Sequence, residues 1–314
     1  MLRYAPRVQE LTVNDDDNDH SLNVLQSSWF RTTLLLPNLK RLDWHCADYT
    51  FIRLFLSSSL VHLEAWLGYG DHSSVVGFLQ YYNILCPNLQ TLKINWHRSN
   101  CSHIRAAVSC AISRTQSLKA LSAGDFLAEA HRPVDLKRFI YGTPPFENLR
   151  TLILYFPDLS SIILYLGSYS QPSEYISFRL DIAPTHEVLV EFFTALGSTT
   201  RQRTLRRIRL SMEASKEQPM PLQAIDFQVL SLLMRFNLHA LDVDLRNPII
   251  LIDDELAHLV QAWPDLEMFY LNEFVLGDQS TSNIPTLKGL LLVIERCPKL
   301  RGLGLCVDAA YVPS

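Results

Sequence analysis

A six-residue pattern recurs along the whole chain and constrains its fold more than any other feature of the sequence. The pattern is L-x-x-L-x-L, in which other large apolar residues can replace leucine, and its best copies read NLKRLDW, NLQTLKI, NLRTLIL, NLHALDV and KLRGLGL. Eleven copies spaced by about 29 residues indicate a chain built from stacked repeats. The copies at Val8 and Tyr175 are the weakest. All the copies begin at Val8, Leu39, Leu60, Leu89, Leu118, Leu149, Tyr175, Leu205, Leu238, Leu266 and Leu300.

Each copy predicts a short strand, because its last two apolar residues alternate with polar ones. Segments with apolar residues at helical spacing lie between the copies, such as SVVGFLQYYNILCPNL and PTLKGLLLVIERCPKL. This alternation predicts an α/β leucine-rich-repeat solenoid, a horseshoe of about 11 irregular strand-helix repeats with a parallel sheet on the concave face and helices on the convex face. Because no long polar linker divides the chain, we expect residues 1–314 to form a single leucine-rich-repeat-like domain.

Composition and charge argue against several classes of protein. Hydrophobic residues make up 48% of the 314 residues, yet every apolar run is far shorter than the ~20 residues that span a bilayer, so we expect no membrane partner. The net charge of −4 provides no basic field, so we expect no nucleic-acid partner. The six cysteines are scattered without a CxxC pair, which favours reduced thiols and a cytoplasmic or nuclear location.

The alternation of strand residues predicts which side chains face the open, concave side of the sheet. Trp66 and Tyr155 are expected there as exposed aromatics, the residue type enriched at binding hot spots. Trp44 occupies a core position of the motif, whereas Trp29 and Trp263 fall in helical patterns and are expected to be structural. The predicted partner-binding residues are Trp66, Lys93, Tyr155, Arg179, Arg207, Arg209, Asp242, Asp244 and Tyr270.

Charged residues of the open face are predicted to form a cluster. Arg179, Arg207 and Arg209 are expected to form a basic cluster beside Asp242 and Asp244. Guanidinium groups hold carboxylates and phosphates through paired hydrogen bonds, so the cluster could bind an acidic group of a partner. The alternative is that opposite charges on adjacent strands only pair with each other across the sheet.

No constellation of catalytic or metal-ligating residues emerges from the sequence. The acidic run at 15–19 lacks both the glycine and the final glutamate of a calcium-binding loop. His97, Cys101 and His103 lie close together, but a zinc site needs about four ligands and no fourth residue is nearby. We therefore expect no catalytic residues, no metal and no cofactor.

A resemblance to a known family rests on the CPNLxxL lead-ins of the repeats and on the opening YAPRVQELTV. Both resemble the leucine-rich-repeat region of F-box proteins, particularly the large fungal group. The resemblance implies a protein-binding solenoid that serves as the substrate-recognition part of an F-box-like subunit of an SCF-type ubiquitin ligase. In that family an N-terminal F-box docks the ligase adaptor. Here the chain starts at the first repeat without an LPxE segment, so we expect adaptor binding only if an F-box lies upstream in the full gene product.

Two alternatives stay open beside the ligase subunit. A leucine-rich-repeat scaffold or regulatory interaction protein unrelated to ubiquitin would carry the same repeats. An enzyme would need a cleft with convergent ionisable groups, whereas a repeat fold usually offers an open surface. We therefore expect a protein that is not an enzyme and that binds a protein substrate or partner on its concave face.

Overall fold

The structure is a computed structural model of the chain. It describes residues 5–14, 35–67, 72–96, 107–108, 111–112, 114–124, 148–156, 158–166, 173–199, 204–212, 223–272 and 284–309.

Two compact units make up the chain. The first unit runs over Met1–Thr151 and the second over Leu152–Ser314. The expectation of a single repeat domain over 1–314 stays a prediction.

The first unit is built around parallel strands that follow one another in chain order. Every neighbouring pair from the first to the fifth strand is parallel. The connections include one α-helix, α1 (His72–Leu85), and a short 3-10 helix (Ile52–Leu54) in the shortest repeat. The strands of this unit are β1 (Glu10–Asn14), β2 (Arg41–His45), β3 (His62–Leu67), β4 (Thr91–Trp96) and β5 (Ala120–Ala123).

The second unit repeats the same plan. Its strands also lie side by side in chain order, and the pairs from β7 to β11 are parallel. The strands are β6 (Thr151–Phe156), whose first residue closes the first unit, β7 (Tyr175–Leu180), β8 (Arg207–Met212), β9 (Ala240–Asp244), β10 (Met268–Leu271) and β11 (Gly302–Leu305). The helices are α2 (Leu159–Leu166), α3 (His186–Thr199), α4 (Phe227–Ser231), α5 (Asp253–Gln261) and α6 (Leu287–Arg296).

The repeated apolar residues form the core beneath the strands. Leu89, Leu92 and Ile94, the three apolar positions of one copy, are all 0% exposed. Trp44 and Trp263 are also fully buried, as the sequence predicted. Parallel strands in chain order, helices in the connections and a leucine-lined core confirm the predicted α/β leucine-rich-repeat fold.

One repeat begins two residues earlier than the sequence pattern predicts. The β7–β8 register aligns Ile176 with Ile208, which makes Ser173, rather than Tyr175, the first residue of this copy. Ser173 is 0% exposed, so a small polar residue takes a core position that is leucine in the best copies. Because side chains alternate with a period of two, the shift leaves Arg179 on the open face.

A buried asparagine orders the turn after β10. Asn272 has a φ of 44°, a left-handed conformation that asparagine tolerates better than most residues. Its Oδ1 accepts a hydrogen bond from the Leu245 backbone N–H at 3.0 Å, and its Nδ2 donates to the Asn247 carbonyl oxygen. The side chain thereby satisfies backbone groups that the turn would leave buried without partners.

Within the described part of the chain, every helix is too short or too polar to span a bilayer.

Candidate interaction surface

A glutamate on the open face of the first unit gathers several polar side chains. The register aligns Asp43 with Glu64 and Glu64 with Lys93 across β2, β3 and β4. The Lys93 Nζ lies 2.8 Å from Glu64 Oε1. The same oxygen accepts hydrogen bonds from Asn95 Nδ2 at 2.8 Å and from Trp66 Nε1 at 3.3 Å. Glu64 therefore fixes the positions of two predicted partner-binding residues, Trp66 and Lys93.

The Glu64 carboxylate stays ionised because of its neighbours. Burial on its own would raise the pKa of Glu64, since the residue is only 8% exposed. The hydrogen bond and the charge of Lys93, together with the N–H groups of Trp66 and Asn95, outweigh burial and lower this pKa below its usual value. The charged Glu64 carboxylate therefore accepts the hydrogen bond that holds the Trp66 indole.

Trp66 presents an aromatic surface to solvent. Its side chain points away from the leucine core and the residue is 41% exposed. The Tyr49 hydroxyl donates a hydrogen bond of 2.8 Å to the Trp66 carbonyl oxygen, and the His45 ring lies 5.3 Å from the indole, centre to centre. The indole is therefore held in place before any partner arrives, in the position that strand alternation predicts.

The expectation of an exposed aromatic at Tyr155 is wrong. Tyr155 lies on β6 and is only 8% exposed, because its hydroxyl reaches the Asp181 carboxylate and donates a hydrogen bond to it. A covered, hydrogen-bonded ring offers little area to a partner. Strand alternation gives the face on which a side chain starts, but not whether neighbouring groups cover it.

The predicted charged cluster lies on β7, β8 and β9 of the second unit. Arg207 and Arg209 are both exposed on β8. The register places Arg209 opposite Asp242, and Arg209 Nε lies 3.1 Å from Asp242 Oδ2. This contact matches the cross-strand pairing that the sequence left open as an alternative. Since the Arg209 side chain is still 53% exposed, the pair also remains accessible to a partner.

Arg179 and Asp244 lie at the far end of the same surface. Arg179 is exposed on β7 and is aligned with Ser211 of β8. Ser211 is aligned in turn with Asp244 of β9. Arg179 and Asp244 therefore belong to one row across the sheet, with one strand between them.

Tyr270 lies against the last strand of the second unit. It is half-buried on β10, and its hydroxyl lies over Gly302 of β11, where any side chain would collide with it. Glycine at this position leaves room for the tyrosine ring on the open face. The role of Tyr270 as a partner contact stays a prediction.

A group of potential metal ligands lies beside Trp66, and sequence reasoning did not find it. Among the described residues, Asp43, His62 and Glu64 have ligand atoms that all lie within 4.8 Å of one another. The two sequence candidates for metal binding, the acidic run at 15–19 and the group His97, Cys101 and His103, lie outside the described residues.

Comparison with known proteins matches the chain to solved structures. No family model matches the chain, and no curated protein sequence matches it significantly. The leucine-rich-repeat-containing protein LegL7 from Legionella pneumophila aligns with 93% of this chain and 99% of its own, with a TM-score of 0.43 and 12% sequence identity. The assignment to the leucine-rich-repeat class rests on the strand order, register and core of this chain itself.

Proposed function

We propose that this chain is a protein-binding solenoid whose open sheet face recognises a protein partner. The single observation that carries the proposal is Trp66, a large aromatic residue that is 41% exposed on a strand and held by Glu64 and Tyr49. Exposing an indole costs solvation free energy, and hot spots of protein interfaces are enriched in tryptophan. A side chain held rigidly before binding also loses less conformational entropy when a partner covers it.

Charged residues of the second unit would add specificity for an acidic partner. Arg207 and Arg209 project from β8 into solvent, and Asp242 orients the Arg209 guanidinium through Nε. The remaining N–H groups of a guanidinium oriented in this way can pair with a carboxylate of a partner. Such contacts steer association and select partners by charge.

A double variant tests this charged contact. We expect Arg207→Ala/Arg209→Ala to weaken partner capture by about tenfold, because exposed charges contribute mainly through steering and paired hydrogen bonds. The matched control is Arg53→Ala/Arg114→Ala, which removes the same charge from exposed positions in the connections between strands. The measurement is quantitative affinity capture from an extract of the source cells at two salt concentrations. Unchanged capture by the β8 variant would contradict a role for these arginines.

The finer proposal is that the partner is the substrate of an SCF-type ubiquitin ligase. It rests on the resemblance of the CPNLxxL lead-ins and of YAPRVQELTV to F-box proteins. The alternative is a leucine-rich-repeat scaffold or regulatory interaction protein with no link to ubiquitin, which would use the same surface.

Transcript sequencing upstream of Met1 distinguishes the two proposals. We expect the transcript to encode an in-frame F-box ahead of the repeats, and the longer product to capture the SCF adaptor together with the partner. Capture of the partner by the full product without the adaptor would contradict the ligase role and support the scaffold.

A further inference from the structure

Three side chains on the open face of the first unit converge although they come from two strands. The β2–β3 register aligns Asp43 directly with Glu64, and His62 precedes Glu64 by two residues on the same face of β3. One nitrogen and two carboxylate oxygens, one atom from each residue, lie within 4.8 Å of one another. The three residues therefore supply the kinds of ligand atom that hold a divalent transition metal.

Two polar atoms of these side chains, one on Asp43 and one on His62, have no hydrogen-bond partner among the described residues. Asp43 Oδ1 and His62 Nε2 are both shielded from solvent, and neither makes a hydrogen bond within the described part of the chain. Buried polar atoms of this kind are rare, because leaving one unsatisfied costs free energy. The two atoms face each other at 3.5 Å. In a tetrahedral zinc site with bonds of about 2.0–2.1 Å, neighbouring ligand atoms lie about 3.4 Å apart.

Neighbouring cations pair with both carboxylates. Arg41 Nε lies 3.0 Å from Asp43 Oδ2, which leaves Oδ1 turned toward His62. Lys93 Nζ lies 2.8 Å from Glu64 Oε1. A residue that hydrogen-bonds to one oxygen of a carboxylate fixes the orientation in which the carboxylate can bind a metal. The positive charges of Arg41 and Lys93 also lower the affinity of the site for a cation, so we expect the metal to bind with moderate affinity.

We propose that Asp43, His62 and Glu64 form a binding site for one divalent transition-metal ion of the zinc class. Imidazole with carboxylates suits zinc and its neighbours better than calcium or magnesium, which prefer oxygen ligands alone. Three protein ligands leave the fourth tetrahedral position to water or to a group of a bound partner. The site adjoins Trp66, whose Nε1 donates to Glu64, so metal binding is coupled to the position of the indole.

Cobalt titration of the full chain, purified without a histidine tag, tests the site. Co²⁺ replaces zinc and shows intense visible absorption in tetrahedral geometry, so we expect one equivalent to produce such bands and Zn²⁺ to remove them. His62→Gln and Asp43→Asn each keep the approximate size of the side chain. Both are expected to weaken the affinity by about tenfold or more. Lys93→Met should instead tighten binding several-fold, because it removes a competing positive charge.

A second histidine–carboxylate pair provides the matched control. His186 Nε2 lies 3.4 Å from Asp226 Oδ1, so His186→Gln removes a similar pair from the second unit. We expect this variant to bind cobalt like the wild-type protein. Thermal unfolding adds a readout that does not depend on the spectrum: Zn²⁺ should raise the melting temperature of the wild type and of His186→Gln, but not that of His62→Gln. Equal affinity in wild type, His62→Gln and Asp43→Asn, or no tetrahedral cobalt bands with excess metal, would overturn the proposal.

Discussion

Leu92→Asp is expected to unfold the first unit, with a loss of about 4 kcal/mol or more in the free energy of unfolding. Leu92 is 0% exposed on β4 and lies in register with Leu63 of β3 and Leu121 of β5, which are also buried. A carboxylate at this point would have apolar neighbours on both sides and no counter-charge. The protein can keep it only by unfolding the region or by protonating it at high cost.

Urea unfolding followed by circular dichroism measures this effect. The matched control is Lys119→Asp, which places the same carboxylate at an exposed position immediately before β5. We expect the control to unfold within about 0.5 kcal/mol of the wild type. An unchanged midpoint for Leu92→Asp would mean that the two faces of the strand are reversed, which would remove the basis for every open-face assignment.

The sequence predicts the strands well because their signal is local and repeated. Each good copy places three apolar residues at fixed spacing, and burial of Leu89, Leu92 and Ile94 follows from that spacing alone. The signal weakens where a core position is polar. Ser173 is polar and does not match the apolar motif, so the first residue of its copy could be recognised only from the register of β7 with β8.

The surface was predicted less completely, because its properties depend on contacts between distant residues. Strand alternation places Trp66 on the open face, but the burial of Tyr155 depends on Asp181, which lies immediately after β7. The approach of Asp43 to Glu64 likewise requires the exact alignment of β2 with β3. The copies at Leu39 and Leu60 put Asp43 and Glu64 at the same motif position, but the convergence of these side chains with His62 depends on side-chain conformations that the sequence does not give.

Trp66→Ala is expected to weaken partner binding by about 2 kcal/mol, or about thirtyfold in affinity. The substitution removes an exposed aromatic surface but leaves the leucine core beneath it unchanged. Lys93 and Asn95 still hold Glu64 after the indole is lost, so we expect the variant to fold. Its affinity for a partner captured by the wild type can be measured by surface binding kinetics.

Tyr81→Ala is the matched control for this substitution. Tyr81 is an aromatic residue on helix α1 and is 58% exposed, so it offers more aromatic surface than Trp66 without lying on the sheet. We expect its removal to leave affinity unchanged. Equal losses from both variants would show that exposed aromatic area alone, rather than the open face, attracts the partner.

Site-directed photo-crosslinking can show whether the open sheet face around Trp66 contacts the partner. A benzoylphenylalanine placed at position 66 or at position 81 would be activated in the source cells, and the covalently attached proteins would be identified by mass spectrometry. We expect a discrete crosslinked partner from position 66 and none from position 81. A partner joined only from position 81 would contradict this expectation, because the helical side of the repeats would then be the binding surface.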